Sequence, residues 1–313
     1  MIQGPDEDVT LCGWRVRTEI PLPEALPWRG AADHPVDVRV RRGEIQTPWP
    51  SGVTMADQAV LAPDGFFHYR LGRAVRYRIS PDGSEIVVSA HKGCWERPVL
   101  RWPLHTQCQI PLHQARGWLT LHGGAVVVDG RAVLILGISK RGKTTLTAAL
   151  AVRGYRFLAE EHCVICPSMG EGGFHRVLPV MPALRLSREA VVALGEDWES
   201  CAPSMPSDWK RYLYRPDWFH DQPVPLAGVI VLRDPSQAGA PTGPRRLTGP
   251  AGAALVMAQR RMDRLYPRLR GASMAMAGWL VAERRAWEMP VSWTLETLDQ
   301  GVDQVLDIAS AMG

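Results

Sequence analysis

The stretch GISKRGKTT, residues 137–145, follows the apolar run RAVLIL (131–136) and precedes LTAALAVRG (146–154). Gly137-x-x-x-x-Gly142-Lys143-Thr144 fits the Walker A pattern, and its flanks give the pattern meaning. Val133 to Leu136 are β-formers in a short buried run, and Thr144 to Val152 carry Leu and Ala at helical spacing. The spacing therefore predicts strand, loop, helix. Gly137 and Gly142 let the loop curl with its N–H groups inward, and with the helix N-terminus they make a nest for phosphate oxygens. Ser139, Lys140, Arg141 and Thr145 complete the expected nucleotide-binding set. Lys143 is expected at the β/γ-phosphates and the Thr144 hydroxyl on Mg²⁺. The competing reading is a glycine-rich turn that binds nothing, which a chance match rarely supplies with both flanks correct. Lys140 and Arg141 occupy variable positions, where they add charge toward a nucleotide or simply face solvent.

Working outward, LTLHGGAVVVDG (119–130) reads as a strand that turns at Asp129-Gly130 into RAVLIL, as a hairpin does. FLAEEHCVIC (157–166) reads as one strand opening on paired acids, Glu160 and Glu161. Two adjacent carboxylates on a regular strand face opposite ways, so one can meet Mg²⁺ while the other approaches an acceptor. The alternative is an acidic strand end in solvent. Cys163 and Cys166 form a CxxC pair within this run, but residues three apart on a strand do not share a metal, so both are assigned to packing. Further on come PALRLSREAVVALG, a strand or loop feeding a short helix; an aromatic loop at 199–225; and a buried strand at 226–232. Helices are expected near 250–262, 271–286 and 300–311, with a strand at PVSWTLETL (290–298).

Residues 9–90 are short alternating pieces separated by turns, with Pro-Asp-Gly at 63–65 and 81–83. The expected organisation is a small β-rich domain over 1–95 and an α/β P-loop domain over 96–313, joined through a helix within LHTQCQIPLHQARGW (104–118). A chain of 313 residues accommodates both, and no internal repeat interrupts either. A net charge of +4 with dispersed Lys and Arg argues against nucleic acid as a partner, and Arg39-Val40-Arg41-Arg42 reads as a solvated face. No apolar run of bilayer length and no signal-peptide pattern occurs, so the expectation is a cytoplasmic protein away from membranes. Six scattered cysteines form no disulfide framework. The sequence allows a homo-oligomer and leaves the oligomeric state open.

As a set, His122-Gly123, the hairpin, Gly137-Ile-Ser139-Lys-Arg-Gly142-Lys143-Thr144, Arg153-Gly154-Tyr155-Arg156 and Ala159-Glu160-Glu161 resemble the HPr kinase/phosphorylase family over about 40 residues. CGWRVRTEIPLP and WKRYLY look like the short HPr-kinase-like proteins of modified-peptide pathways, including lasso-peptide precursor kinases. The resemblance implies a P-loop kinase fold, ATP or another NTP with Mg²⁺, and a serine-type hydroxyl on a peptide or small protein as acceptor. It puts Glu160 where the family has its catalytic Asp and Glu161 where a second Asp assists the metal. It also places His122 near the transferred phosphate, although a histidine there is as often a satisfied core residue. His162 is a weaker candidate. The change from Asp-Asp to Glu-Glu lengthens both arms by one methylene. Lys210 and Arg211, among Trp and Tyr, either clamp the γ-phosphate or belong to an anchored loop. Asp234, ending the strand GVIVLRD, rivals the pair for the Walker B role. A kinase acting on a small metabolite is a close variant of this reading, and the rival class is a nucleotide-binding regulator without transferase activity.

Overall fold

The computed structural model describes residues 7–23, 25, 35–45, 48–55, 58–166, 175–204, 209–262 and 266–312. It is a mixed α/β structure with three sheets. The first is built from β1 (Glu7–Leu11), β2 (Trp14–Thr18), β3 (Val38–Arg42), β4 (Val53–Met55), β5 (Ala59–Leu61), β6 (Phe67–Leu71), β7 (Val75–Ile79) and β8 (Glu85–Ala90) in the order 1-2-3-8-7-6-5-4. Alternation explains why these pieces are strands. In VRYRI, Val75, Tyr77 and Ile79 are buried, whereas Arg76 and Arg78 remain partly exposed on the opposite face. The buried face meets two helices, α1 (Pro98–His105) and α2 (Gln109–Ala115), where sequence suggested one. Tyr77 fixes the contact by donating its hydroxyl to the Leu100 carbonyl at 2.6 Å. The expected boundary near residue 95 is thus crossed by apolar packing: Val16, Tyr77, Leu104, Leu121 and Val164 belong to one core.

The second sheet holds the glycine-rich loop. Its hairpin is β9 (Leu119–Val128) and β10 (Arg131–Gly137), turning at Asp129 and Gly130 with φ of 48° and 73°. Both values are positive, as a two-residue hairpin turn of this kind requires. Helix α3 (Lys143–Val152) follows, then β11 (Phe157–Ala159), β12 (His162–Cys166), β13 (Arg176–Leu178), β14 (Ala183–Ser187), α4 (Arg188–Ala193), β15 (Ala202–Pro203), β16 (Lys210–Tyr214) and β17 (Val224–Arg233). The chain closes with β18 (Arg245–Arg246), α5 (Gly249–Met257), α6 (Arg270–Ala282), β19 (Ala286–Pro290) and α7 (Leu298–Ser310). Strands β14, β16 and β15 form the small third sheet.

Strand β10 lies between β9, antiparallel, and β17, parallel. It is buried on both faces, so its sequence reads as a continuous apolar run. Ala132, Leu134 and Leu136 enter the core shared with the first sheet, while Val133 and Ile135 enter a second core with Leu146 and Leu150 of α3 and Val302 and Val305 of α7. Two expectations shift. The last strand is AWEMP rather than PVSWTLETL, because parallel pairing with β17 runs Val229↔Ala286 through Arg233↔Pro290 and stops there. The run 157–166 is two strands, interrupted at Glu160 and Glu161. Among the described residues, no helix is long and apolar enough to cross a membrane.

Candidate phosphate-binding site

The loop leaves β10 at Gly137, whose φ of 140° and close approach to β17 both demand glycine: a Cβ there would lie 2.9 Å from the Leu232 carbonyl oxygen. At Gly124 a Cβ would come within 2.1 Å of Thr147 Oγ1, so this glycine lets β9 pass directly under α3, while at Gly123 a Cβ would meet the Ile135 carbonyl oxygen of β10 at 2.4 Å. Lys140 and Gly142 carry positive φ and turn the loop back into α3, whose N-terminus faces the cavity.

The cavity encloses about 420 Å³ and brings together His122, Ser139, Lys140, Lys143, Thr144, Thr145, Glu160, Glu161, Arg185 and Lys210, with Gly142 in its wall. Lys143 is only 7% exposed and donates to the Ile138 carbonyl at 2.8 Å. Burial pulls its pKa down to about 8, partly resisted by Glu161 and Glu160, so the ammonium remains mostly charged at neutral pH.

The carboxylates owe their placement to the break between β11 and β12. Glu161 has φ of 69°, a left-handed conformation that costs a non-glycine residue roughly 1–3 kcal/mol. That turn abolishes strand alternation, so both side chains line the cavity instead of facing opposite ways. Thr144 Oγ1 donates to Glu160 Oε1 at 2.8 Å. Glu161 instead forms an ion pair with Arg261 and lies 3.8 Å from His122 Nδ1. The acid that touches Thr144 is therefore Glu160, whereas the family resemblance implies Glu161 as the residue that shares the metal with Thr144.

The two acids titrate in opposite directions. Burial and the neighbouring Glu161 charge raise Glu160 to about 7, against the pull of Thr144. At Glu161, burial pushes upward but is outweighed by His162, Arg261 and His122, and the pKa falls to about 2. Burial also depresses His122 to about 4 and His162 to about 3, so at neutral pH the counter-charges that last are guanidinium groups, Arg261 in direct contact and Arg185 beyond it. His122 Nδ1 lies 3.1 Å from the Glu161 carbonyl oxygen, which can only accept. Its proton is thereby assigned to Nδ1, leaving the Nε2 lone pair toward Ser139 Oγ at 3.5 Å.

A stability measurement checks the environment of Glu160. Its folded pKa of about 7 exceeds the unfolded value of about 4.5. The folded state thus holds this proton more tightly, and the carboxylate's destabilising contribution is absent below pH 4.5 and complete above pH 7. Glu160→Gln, measured without nucleotide, should melt several degrees above the parent at pH 8 and converge with it at pH 5. A constant difference across that range would mean that the carboxylate titrates normally.

Not every sequence candidate arrives. Arg211 does not line the cavity. It lies on strand β16 rather than in a loop, and alternation turns it away from Lys210, onto the Trp198 ring at 4.6 Å and the Trp198 carbonyl at 3.1 Å. Arg141 pairs with Asp234, which sits past the end of β17 and accepts from Ser236, apart from Thr144. His162 is fully buried beside His122 in the β9–β12 ladder. Cys163 is buried and unpaired, and no metal-holding group of three or more His, Cys, Asp or Glu exists among the described residues.

Sequence reading missed Arg261 and Arg185. Arg261 follows α5 and is held against the start of β9, beyond that strand's pairing with β10, where its N–H donates to the Thr120 carbonyl at 3.1 Å and the Gln259 carbonyl accepts from His122 N. Nothing in QRRM distinguishes it locally from a solvated arginine pair. Arg185 sits on β14 two residues before Ser187, which pairs with Lys210. That pairing is a long-range match, invisible along the chain.

No protein-family model matches the chain, and neither does any curated protein. Among solved structures it is similar to the Hpr(Ser) kinase/phosphatase from Coxiella burnetii, with 18% identity and a TM-score of 0.26 over 42% of this chain and 76% of that one.

Proposed function

We propose that the chain is an NTP-dependent kinase that transfers a phosphoryl group from ATP to a serine-type hydroxyl on a peptide or small protein. The observation that carries this reading is the convergence of Lys143, Thr144 and Glu160 at the N-terminus of α3, with the Thr144 hydroxyl bonded to Glu160. The motif-level resemblance to HPr kinases supports the same chemistry.

The residues fit a Mg²⁺–triphosphate. The loop N–H groups and Lys143 would cradle the phosphates, and Thr144 with Glu160 would hold the cation, two protein ligands being usual for Mg²⁺ beside phosphate oxygens. A Mg²⁺ ion held there would supply charge neutralisation on the transferred group and would favour the ionised form of Glu160. The acceptor oxygen bonds to the γ-phosphorus, the β–γ bridging P–O bond breaks, ADP leaves, and the hydroxyl proton passes to Glu160. Lys210 and Arg185, which line the same cavity, complement the spreading negative charge. Glu161, fixed by Arg261, keeps the histidine side of the site in place.

Incubation with γ-labelled ATP, Mg²⁺ and a set of serine-containing peptides tests the proposal, with label expected on peptide. Label on a small hydroxylated metabolite would make the chain a metabolite kinase. Tight nucleotide binding without transfer to either acceptor would make it a regulator.

A further inference from the structure

The outward face of the first sheet is a second charged surface, independent of the phosphate site. Its other face is the apolar core, with Val16, Val40, Tyr77 and Ile86 turned inward. Alternation therefore points Arg15 and Arg17 of β2, and Arg39 and Arg41 of β3, outward. Arg76 and Arg78 of β7 and Arg70 of β6 share that side, as the pairs Arg70↔Arg76 and Arg78↔Val87 require. Seven arginines thus face two carboxylates on these strands: Asp8, shared by Arg15 and Arg17, and Glu85, bound to Arg41. Arg39 and Arg76 have no side-chain partner among the described residues.

The register sets like charges directly against one another. Arg17 is opposite Arg39, and Arg70 is opposite Arg76. Such cross-strand pairs disfavour a sheet; Asp8 offsets the first through its ion pair with Arg17, and Arg70 of the second rests on the Trp49 ring, which leaves Arg39 and Arg76 as the surplus charges. We propose that this arginine face binds an acidic segment of a polypeptide partner. Outward residues on one strand recur every second position, and carboxylates on one side of an extended peptide recur with the same spacing. Guanidinium forks bind carboxylates bidentately, which suits an all-arginine face. Single-stranded nucleic acid fits less well, because it needs open aromatic faces for base stacking. The rings at this surface are engaged by the arginines themselves, Trp49 under Arg70 at 4.9 Å and Phe66 under Arg78 at 5.0 Å.

The test is fluorescence anisotropy of the full chain with three labelled probes: a peptide of alternating Glu and Ser, its Gln counterpart, and an oligothymidylate of equal charge. The Glu peptide should bind at ~0.05 M salt and weaken at ~0.15 M. The Gln peptide should not bind. Arg39→Ser with Arg76→Ser should weaken Glu-peptide binding about tenfold, while Arg39→Lys with Arg76→Lys recovers part of the loss. The Lys variant should keep the parent melting temperature and the Ser variant should melt no lower than the parent, since neither side chain has a partner to lose and the Ser changes relieve the two like-charge pairs. Absence of Glu-peptide binding, or binding unchanged in the Ser variant, would overturn the proposal. Tighter binding of the oligothymidylate that the Ser variant loses would overturn it in favour of nucleic acid.

Discussion

Glu160→Gln is expected to lower phosphoryl transfer by roughly 10²–10⁴, the usual contribution of a positioned proton acceptor. The amide keeps the size of the side chain, and its carbonyl oxygen can still accept from Thr144 Oγ1, so the loop geometry should survive. What disappears is the ionisable oxygen at a position poised near neutral pH. Because the same carboxylate faces the threonine that would hold Mg²⁺, the Mg²⁺ requirement should move to higher concentration as well. Titrating the metal separates the two effects. The part of the defect restored by excess Mg²⁺ belongs to cation holding, and the remainder belongs to proton transfer. Glu160→Asp then tests reach: a faster enzyme would mean that the longer arm is a compromise, whereas an inactive one would mean that the cavity is built around it. If Glu160→Gln transfers at the parental rate at every Mg²⁺ concentration, the paired-acid mechanism fails and Asp234 becomes the next acid to replace.

Lys143→Ala should reduce nucleotide affinity or turnover by well over tenfold while the melting temperature holds. The ammonium is buried, mostly charged, and capped in this structure by the Ile138 carbonyl of its own loop. A desolvated cation aimed at phosphates contributes about 1.5–3 kcal/mol per charged hydrogen bond, against 0–1 kcal/mol for an exposed ion pair. Removing it leaves the Ile138 carbonyl open toward the cavity, where water can reach it, so folding should lose little. Calorimetric titration with ATP and a turnover assay read the effect directly. Parental values in both would rule out the phosphate-loop reading.

The sequence by itself determined the hairpin, the loop and the helix. Each is specified by neighbours in the chain: Asp129-Gly130 by the positive φ its turn needs, Gly137 and Gly142 by the curl of the loop, and Val133–Leu136 by burial on both faces. It also determined the alternation of the first sheet, since the buried and exposed positions of VRVRR and VRYRI can be read one residue at a time. Only the tertiary structure decided which acid meets which partner. The left-handed turn at Glu161 overrides strand alternation, placing Glu160 on Thr144 and Glu161 on Arg261. Only the tertiary structure brought in Arg261, 100 residues beyond its partner, and turned Arg211 away while Lys210 stayed. It alone gathered arginines from β2, β3, β6 and β7 onto one face, because strand order and register are settled by pairings between segments distant in the chain. The physical reason is one of range. Dihedral preference and burial period act within a few residues and leave their mark in the sequence, whereas the direction of a charged side chain is fixed by whichever counter-charge and backbone groups the packed core delivers to it.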